Sequence, residues 1–408
     1  MRKLESGKAV SGALRQYYKD IWQKRPLAWS VVSPNPLNDI CHVLGIQVAY
    51  PENYACVCAA QHLSEQYCNI AESHNYNSDL CSYIRNNFGF LLAKDVDHPF
   101  GGLPKPDIIT TVSNACLNYI KWFDALRLHF DVPFVLLNTP HKMTAHQTPS
   151  YFIDYVVGEI EESMKELEKL SGQKVTNAKL KEVAHYSREQ SKYWREILEL
   201  NKAVPAPLNF PDLANLIFVP TSLSGTELGL SLLKQVYEEV KDRVDKRIGA
   251  IDNEKHRLLL LNIPPWYRLG LSGYFAEKGC VFPFGDYTRY VWCTQDIDDG
   301  DPIKHFANKA LGIGINGGYG SSCVETLYGP LEQRIEEDIM AYKIDGAVIQ
   351  INKSCKIMST GGLDIARFIR DKMNIPVVVL DADQADERFY SDAEFKQRLD
   401  AFFETLGE

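Results

Sequence analysis

Apolar positions along the chain fall into two alternating kinds of run. Over 12–24, Leu14, Tyr17, Tyr18, Ile21 and Trp22 recur at helical spacing and predict an amphipathic helix. A short continuous apolar run at 27–32 predicts a strand, ended by the turn sequence Ser33-Pro34-Asn35-Pro36. The alternation then repeats, with a helix near 37–44, a strand at 46–50, a helix near 55–73 and a helical stretch opening at Cys81. A strand at 107–112 runs through Ser113-Asn114-Ala115-Cys116 into another helix, and 133–138 is a further buried strand. Strand, turn and helix in repetition is the signature of a parallel α/β sheet.

The pattern changes over 150–202, where two long helical stretches laced with charge are split near Ser171-Gly172-Gln173. Glu162, Lys165, Glu166 and Lys169 there have the spacing of ion pairs on a solvated helix face. A second α/β alternation follows. Helices are expected over 223–247, 302–311, 327–342, 362–373 and 391–406, and strands at 256–262, near 287–293, at 345–352 and at 376–380. The reading is an α/β protein of two Rossmann-like parallel-sheet domains, 1–149 and 211–408, with a helical connection over 150–210.

Composition narrows the class of protein. With 408 residues, 45% of them hydrophobic, the chain can bury a large core without cross-links, which excludes a disordered or disulfide-scaffold protein. Its 53 acidic against 44 basic residues argue against a general nucleic-acid binder, whose phosphate contacts need a basic face. The opening MRKLESGKAV lacks the apolar core of a signal peptide, and the longest apolar runs are strand-sized. A cytoplasmic protein without membrane contact is therefore expected, in a compartment that keeps thiols reduced. Against that background the ten cysteines are the unusual feature of the composition.

Several motifs fail on their context. Gly312, Gly314 and Gly317 match the letters G-x-G-x-x-G, but the preceding ANKALGIG is helical in pattern where a dinucleotide site needs a strand. A Gly-rich loop that can approach a ligand closely is the plainer reading. His141 and His146 have the wrong spacing for a helical metal pair, and His185 lies on a polar helix face. There is no G-x-S-x-G elbow and no Walker loop, so the chain carries neither a hydrolase nor an ATPase signature.

The cysteines stand at 41, 56, 58, 68, 81, 116, 280, 293, 323 and 355, with no C-x-x-C pair. Most read as small buried apolar residues. Three differ by position. Cys81 opens a helix, whereas Cys116 and Cys355 directly follow strands, where α/β sheets collect their ligands. Helix N-termini there favour the thiolate form. Three converging thiolates can hold a four-iron cluster and leave one iron open as a Lewis acid.

At these residues the chain resembles the 2-hydroxyacyl-CoA dehydratase family, which also includes the benzoyl-CoA reductase subunits. The resemblance is carried by Pro51-Glu52-Asn53-Tyr54, Cys81-Ser82-Tyr83-Ile84-Arg85, Ser113-Asn114-Ala115-Cys116, Lys353-Ser354-Cys355, Asn374-Ile375-Pro376-Val377 and Asp381-Ala382-Asp383. It implies a heterodimer of this chain with a related beta subunit, and a separate ATP-dependent iron–sulfur activator that delivers one electron. It further implies a [4Fe–4S] cluster on Cys81, Cys116 and Cys355, with one iron not held by cysteine. The implied reaction removes water from an (R)-2-hydroxyacyl-CoA through a ketyl radical anion. That route answers a chemical problem, because the β-hydrogen of the substrate is barely acidic while the hydroxyl leaves from the α-carbon. Glu52, after a strand and a proline, is the candidate to take the β-proton; otherwise it is a carboxylate favoured by a helix N-terminus. Ser33 is the candidate partner of a water or hydroxide on the open iron; otherwise it is a turn or capping serine. Three other readings stay open: an acyl-CoA reductase subunit, a non-catalytic electron-relay subunit, and a small-molecule binding protein without a cluster.

Overall fold

The structure, a computed structural model, describes residues 1–32, 35–140, 150–290, 300–311 and 330–407. Two four-stranded sheets, both wholly parallel, form its centre. The first holds β1 (Leu27–Trp29), β2 (Gln47–Ala49), β3 (Ile108–Val112) and β4 (Phe134–Leu137), in the order β2-β1-β3-β4. The second holds β5 (His256–Leu261), β6 (Cys280–Gly285), β7 (Gly346–Asn352) and β8 (Val377–Ala382), in the order β6-β5-β7-β8. The two orders are the same when each sheet is counted from its own first strand. Both therefore reverse direction between their first and third strands, and ligands of such sheets bind outside the carboxyl ends at that reversal.

The strands are buried on both faces, as parallel sheets covered by helices require. All five residues of β3 and all six of β6 are buried. This half holds α1 (Ser6–Gln23), α2 (Pro36–Val43), α3 (Pro51–Ala60), α4 (Ser64–Ser73), α5 (Ser82–Leu92) and α6 (Leu117–Phe130); α1, α2 and α6 pack on the strands, and α3, α4 and α5 on one another. Gly89 lets α5 lie directly on α4, since a Cβ there would stand 1.8 Å from the carbonyl oxygen of Tyr67. The long helices α7 (Ser150–Ser171) and α8 (Asn177–Leu200) lie between the two sheets in sequence, split at the expected Ser171-Gly172.

Two expected elements are corrected. The helix near 55–73 is two helices, α3 and α4, broken where His62 adopts a left-handed φ of 58°. The strand expected near 287–293 lies earlier in the chain, as β6. A helix, Asp286–Tyr290, follows it, while 291–293 lie outside the described residues. Pro283 hides β6 from a pattern reading, because proline lacks the N–H of a central strand. It is tolerated because β6 is at the sheet edge. The β5–β6 register slips beside it, Arg257 facing Val281 but Leu259 facing Phe284, which is a bulge of one residue. The glycines 312, 314 and 317, with His141 and His146, also lie outside the described residues. No helix among the described residues is long and apolar enough to cross a membrane.

Candidate active site

Each of the three singled-out cysteines sits at the N-cap of a helix. Cys81 precedes α5, Cys116 precedes α6, and Cys355 precedes the short helix Lys356–Ser359. Cys116 and Cys355 occupy the same place in their two sheets, after the third strand and beside the reversal.

The folded chain brings the loops of these cysteines together. The Ser82 N–H, next to Cys81, donates to Ser354 Oγ, next to Cys355, at 2.9 Å across 272 positions of sequence. Burial pushes the Cys81 thiol well above its ordinary pKa, and the charge of Cys355 adds to the rise. Burial likewise pushes Cys355 up to about 12; the Met358 N–H opposes this, and the charge of Cys116 adds to it. Cys355 thus lies within the field of Cys116, and Cys81 within that of Cys355, with all three side chains only partly covered. The helix amides of Tyr83 and Met358 favour the thiolates of Cys81 and Cys355 respectively. Among the described residues, no three His, Cys, Asp or Glu side chains converge tightly enough to chelate one metal ion. Soft thiolates at helix starts, two of them facing helix amides, are the donor type that an iron–sulfur cluster takes.

Glu52 enters the same field from α3. Pro51 opens that helix and Glu52 is its second residue, where the helix dipole favours a carboxylate. Its side chain is buried, and burial pushes its pKa up to about 7 against the lowering effect of the Tyr119 hydroxyl. Tyr119, in the first turn of α6, donates that hydroxyl to Glu52 Oε2. Its backbone N–H bonds Cys116 O at 3.0 Å, so one helix start carries both a thiol and the partner of the carboxylate. The Tyr83 hydroxyl, 3.5 Å from Cys56 Sγ, accepts from Trp266 Nε1 at 2.5 Å and joins the site to the second sheet. Tyr287 is buried there too, its hydroxyl raised by burial and then by the charges of Glu52, Cys56 and Cys355.

Ser33 lies outside the described residues. The hydroxyl network at the end of β1 belongs to its neighbour Ser30, which donates to Asn38 Oδ1 at 2.5 Å and accepts from Thr110 Oγ1 at 2.8 Å. Cys41, Cys58, Cys68 and Cys280 are wholly buried, as packing residues would be, and Cys56 stands beside the site. Cys293 and Cys323 lie outside the described residues. Tyr83 is named in the sequence only as part of the Cys81–Arg85 fragment, and Tyr119 and Tyr287 are not singled out there; Tyr119, one helical turn beyond Cys116, has a signal in its spacing.

A second group clamps the two halves beside Cys81. Arg85 of α5, wholly buried, pairs with Asp386 at 2.7 Å and with Glu72 at 2.6 Å. Burial opposes the charge of Asp386, but hydrogen bonds from Arg388 and Arg85 hold its carboxyl below the usual range.

The chain belongs to the 2-hydroxyglutaryl-CoA dehydratase D-component family, whose model matches residues 38–406. It is thereby a dehydratase subunit, a hydro-lyase by class. Its relatives give finer detail. It is 29% identical to the (R)-2-hydroxyisocaproyl-CoA dehydratase alpha subunit of Clostridioides difficile, over 100% of this chain and 97% of that one. It is 28% identical to the (R)-phenyllactyl-CoA dehydratase alpha subunit of Clostridium sporogenes, over 90% of this chain and 87% of that one. It is 25% identical to a benzoyl-CoA reductase subunit of Thauera aromatica, over 93% and 88% respectively.

Proposed function

We propose that this chain is the substrate-binding subunit of an (R)-2-hydroxyacyl-CoA dehydratase, with 2-hydroxyisocaproyl-CoA as its substrate. The observation that carries the proposal is the grouping of Cys81, Cys116 and Cys355 at three helix starts with buried Glu52 in the same field. These cysteines would hold a [4Fe–4S] cluster with one iron free of cysteine. When bound, it supplies a Lewis acid for the thioester oxygen and a path for one electron.

The chain's own residues manage the proton and the charge. One-electron reduction of the thioester gives a ketyl radical anion that expels the α-hydroxyl, and the β-proton becomes acidic as a result. Glu52, held near neutrality by burial, is matched to accept that proton, and Tyr119 keeps the carboxylate oriented. Loss of that proton leaves the radical anion of the enoyl thioester, which gives its electron back to the enzyme, so the sum of the steps is loss of water. Ser33, after β1, would hydrogen-bond the departing hydroxide.

The alpha-subunit names of the relatives support a heterodimer with a related beta subunit. An ATP-dependent iron–sulfur activator protein would supply the electron. A cytoplasmic, reducing compartment belongs to the same reading. The likeness to the benzoyl-CoA reductase chain sustains one second reading, an acyl-CoA reductase.

Anaerobic purification of the heterodimer followed by product analysis tests the proposal. It predicts bound iron and sulfide and a 2-enoyl-CoA product. A cyclic diene from an aromatic thioester would favour the reductase, and iron-free active protein would overturn the cluster.

A further inference from the structure

Gln384 lies in the loop after β8 and is wholly buried. Its Nε2 stands 3.6 Å from Cys81 Sγ and 3.3 Å from Ser354 Oγ. Ser354 decides which end of the amide faces these atoms. Its one hydroxyl proton goes to Asp383 Oδ2 at 2.5 Å, so Ser354 Oγ can only accept from its other neighbours. An amide oxygen in that position would face lone pairs. The NH2 group therefore points toward Ser354 and Cys81, with one proton for each. Among the described residues the amide oxygen has no hydrogen-bond partner, so the orientation of the amide is set by Ser354 and Cys81 at its NH2 end.

The backbone around this amide is pinned. Gln384 O accepts from the Trp266 N–H at 3.0 Å. Asp383 Oδ1 takes the N–H groups of Ala385 and Asp386, both at 3.0 Å, and Asp386 pairs with Arg85 in the helix that Cys81 opens. One loop thus fixes the Cys81 helix, the serine beside Cys355 and the donor aimed at Cys81.

We propose that Gln384 is a positioning residue whose side-chain amide donates a hydrogen bond to the Cys81 thiolate and raises the reduction potential of the cluster it holds. The proposal rests on the cluster reading given above. An added electron increases the negative charge on the sulfurs, so a donor stabilises the reduced form more than the oxidised form. A charged acceptor makes this bond stronger than a neutral one.

The test uses the anaerobic heterodimer with Gln384→Leu and the near-isosteric Gln384→Glu, each assayed for iron and sulfide and then titrated for its potential by paramagnetic resonance. Both variants are expected to keep wild-type iron. Gln384→Leu should lower the one-electron reduction equilibrium about tenfold, which is about 59 mV, and Gln384→Glu at least as far. Unchanged potentials at full iron content overturn the role of Gln384 and leave the cluster reading standing. Wild-type heterodimer without iron overturns the cluster reading itself. Should both variants lose iron, alkylation of the iron-free chains decides. There Gln384→Leu should slow the reaction of Cys81 several-fold while Cys56 reacts as before, and equal rates at Cys81 overturn the proposal.

Discussion

In the first sheet the chain leaves the second strand through Tyr50-Pro51 to Glu52, and in the second sheet it leaves the corresponding strand directly at Asp286. Both carboxylates are buried at a helix start, and burial pushes each up to about 7. Their partners differ. Asp286 Oδ1 accepts two backbone N–H groups, from Asn262 at 2.9 Å and Tyr287 at 2.7 Å. Glu52 accepts the hydroxyl of a tyrosine on a neighbouring helix. Backbone amides cannot turn away, so Asp286 ties β5 to the helix after β6. A tyrosine hydroxyl can rotate and exchange its proton, so Glu52 keeps the freedom that acid–base work requires. Topology and burial set the affinity for a proton at both places, and the partner decides whether that proton can move.

Substitutions at several places put this difference at risk. The largest effect is expected at the thiols. Cys81→Ala, Cys116→Ala and Cys355→Ala should each abolish cluster binding, read as iron and sulfide per chain, and full iron in all three variants would refute the assignment. Next comes Glu52→Gln, which should keep the iron and lower turnover by about 10²–10⁴-fold, the usual worth of a general base. The equivalent Asp286→Asn should leave turnover near wild type, and a matching loss there would erase the distinction between the two carboxylates.

Asp386→Ala removes one of the two carboxylates on the buried Arg85, leaving Glu72, and should cost about 1–3 kcal/mol in denaturant unfolding, without first altering the chemistry. The smallest effect is a pH dependence. Asp286 binds its proton more tightly folded than unfolded, its pKa rising from 3.8 to about 7. Its contribution is therefore present below pH 3.8 and lost as pH rises toward 7. Asp286→Asn should flatten that part of the stability–pH curve, and an unaltered slope would count against the assignment.

Local pattern served well wherever an element had its own apolar face. The run His256–Leu261 and the helical spacing of 12–24 were both legible, although α1 begins earlier, at Ser6, because a polar first turn carries no apolar stripe. Pattern failed at β6, where Pro283 breaks the strand signal, and at His62, whose left-handed backbone divides two helices of continuous helical composition. Cys81, Cys116 and Cys355 stood out because helix starts and strand ends are local features. Gln384, Tyr287 and Asp286 did not, because each matters through residues distant in sequence, as Gln384 does through Cys81, 303 positions away.

Short-range pattern was enough to establish the two α/β alternations, the helical stretch between them and the cysteines that open helices. These follow from periodicity, turn residues and capping positions, which act over a few residues. Packing of distant segments was needed to bring Ser82 to Ser354, Tyr119 to Glu52 and Asp386 to Arg85. Such pairings depend on which face of each sheet is covered and on how far burial removes water from a charge. No local pattern encodes either, because burial is a property of the whole packed chain.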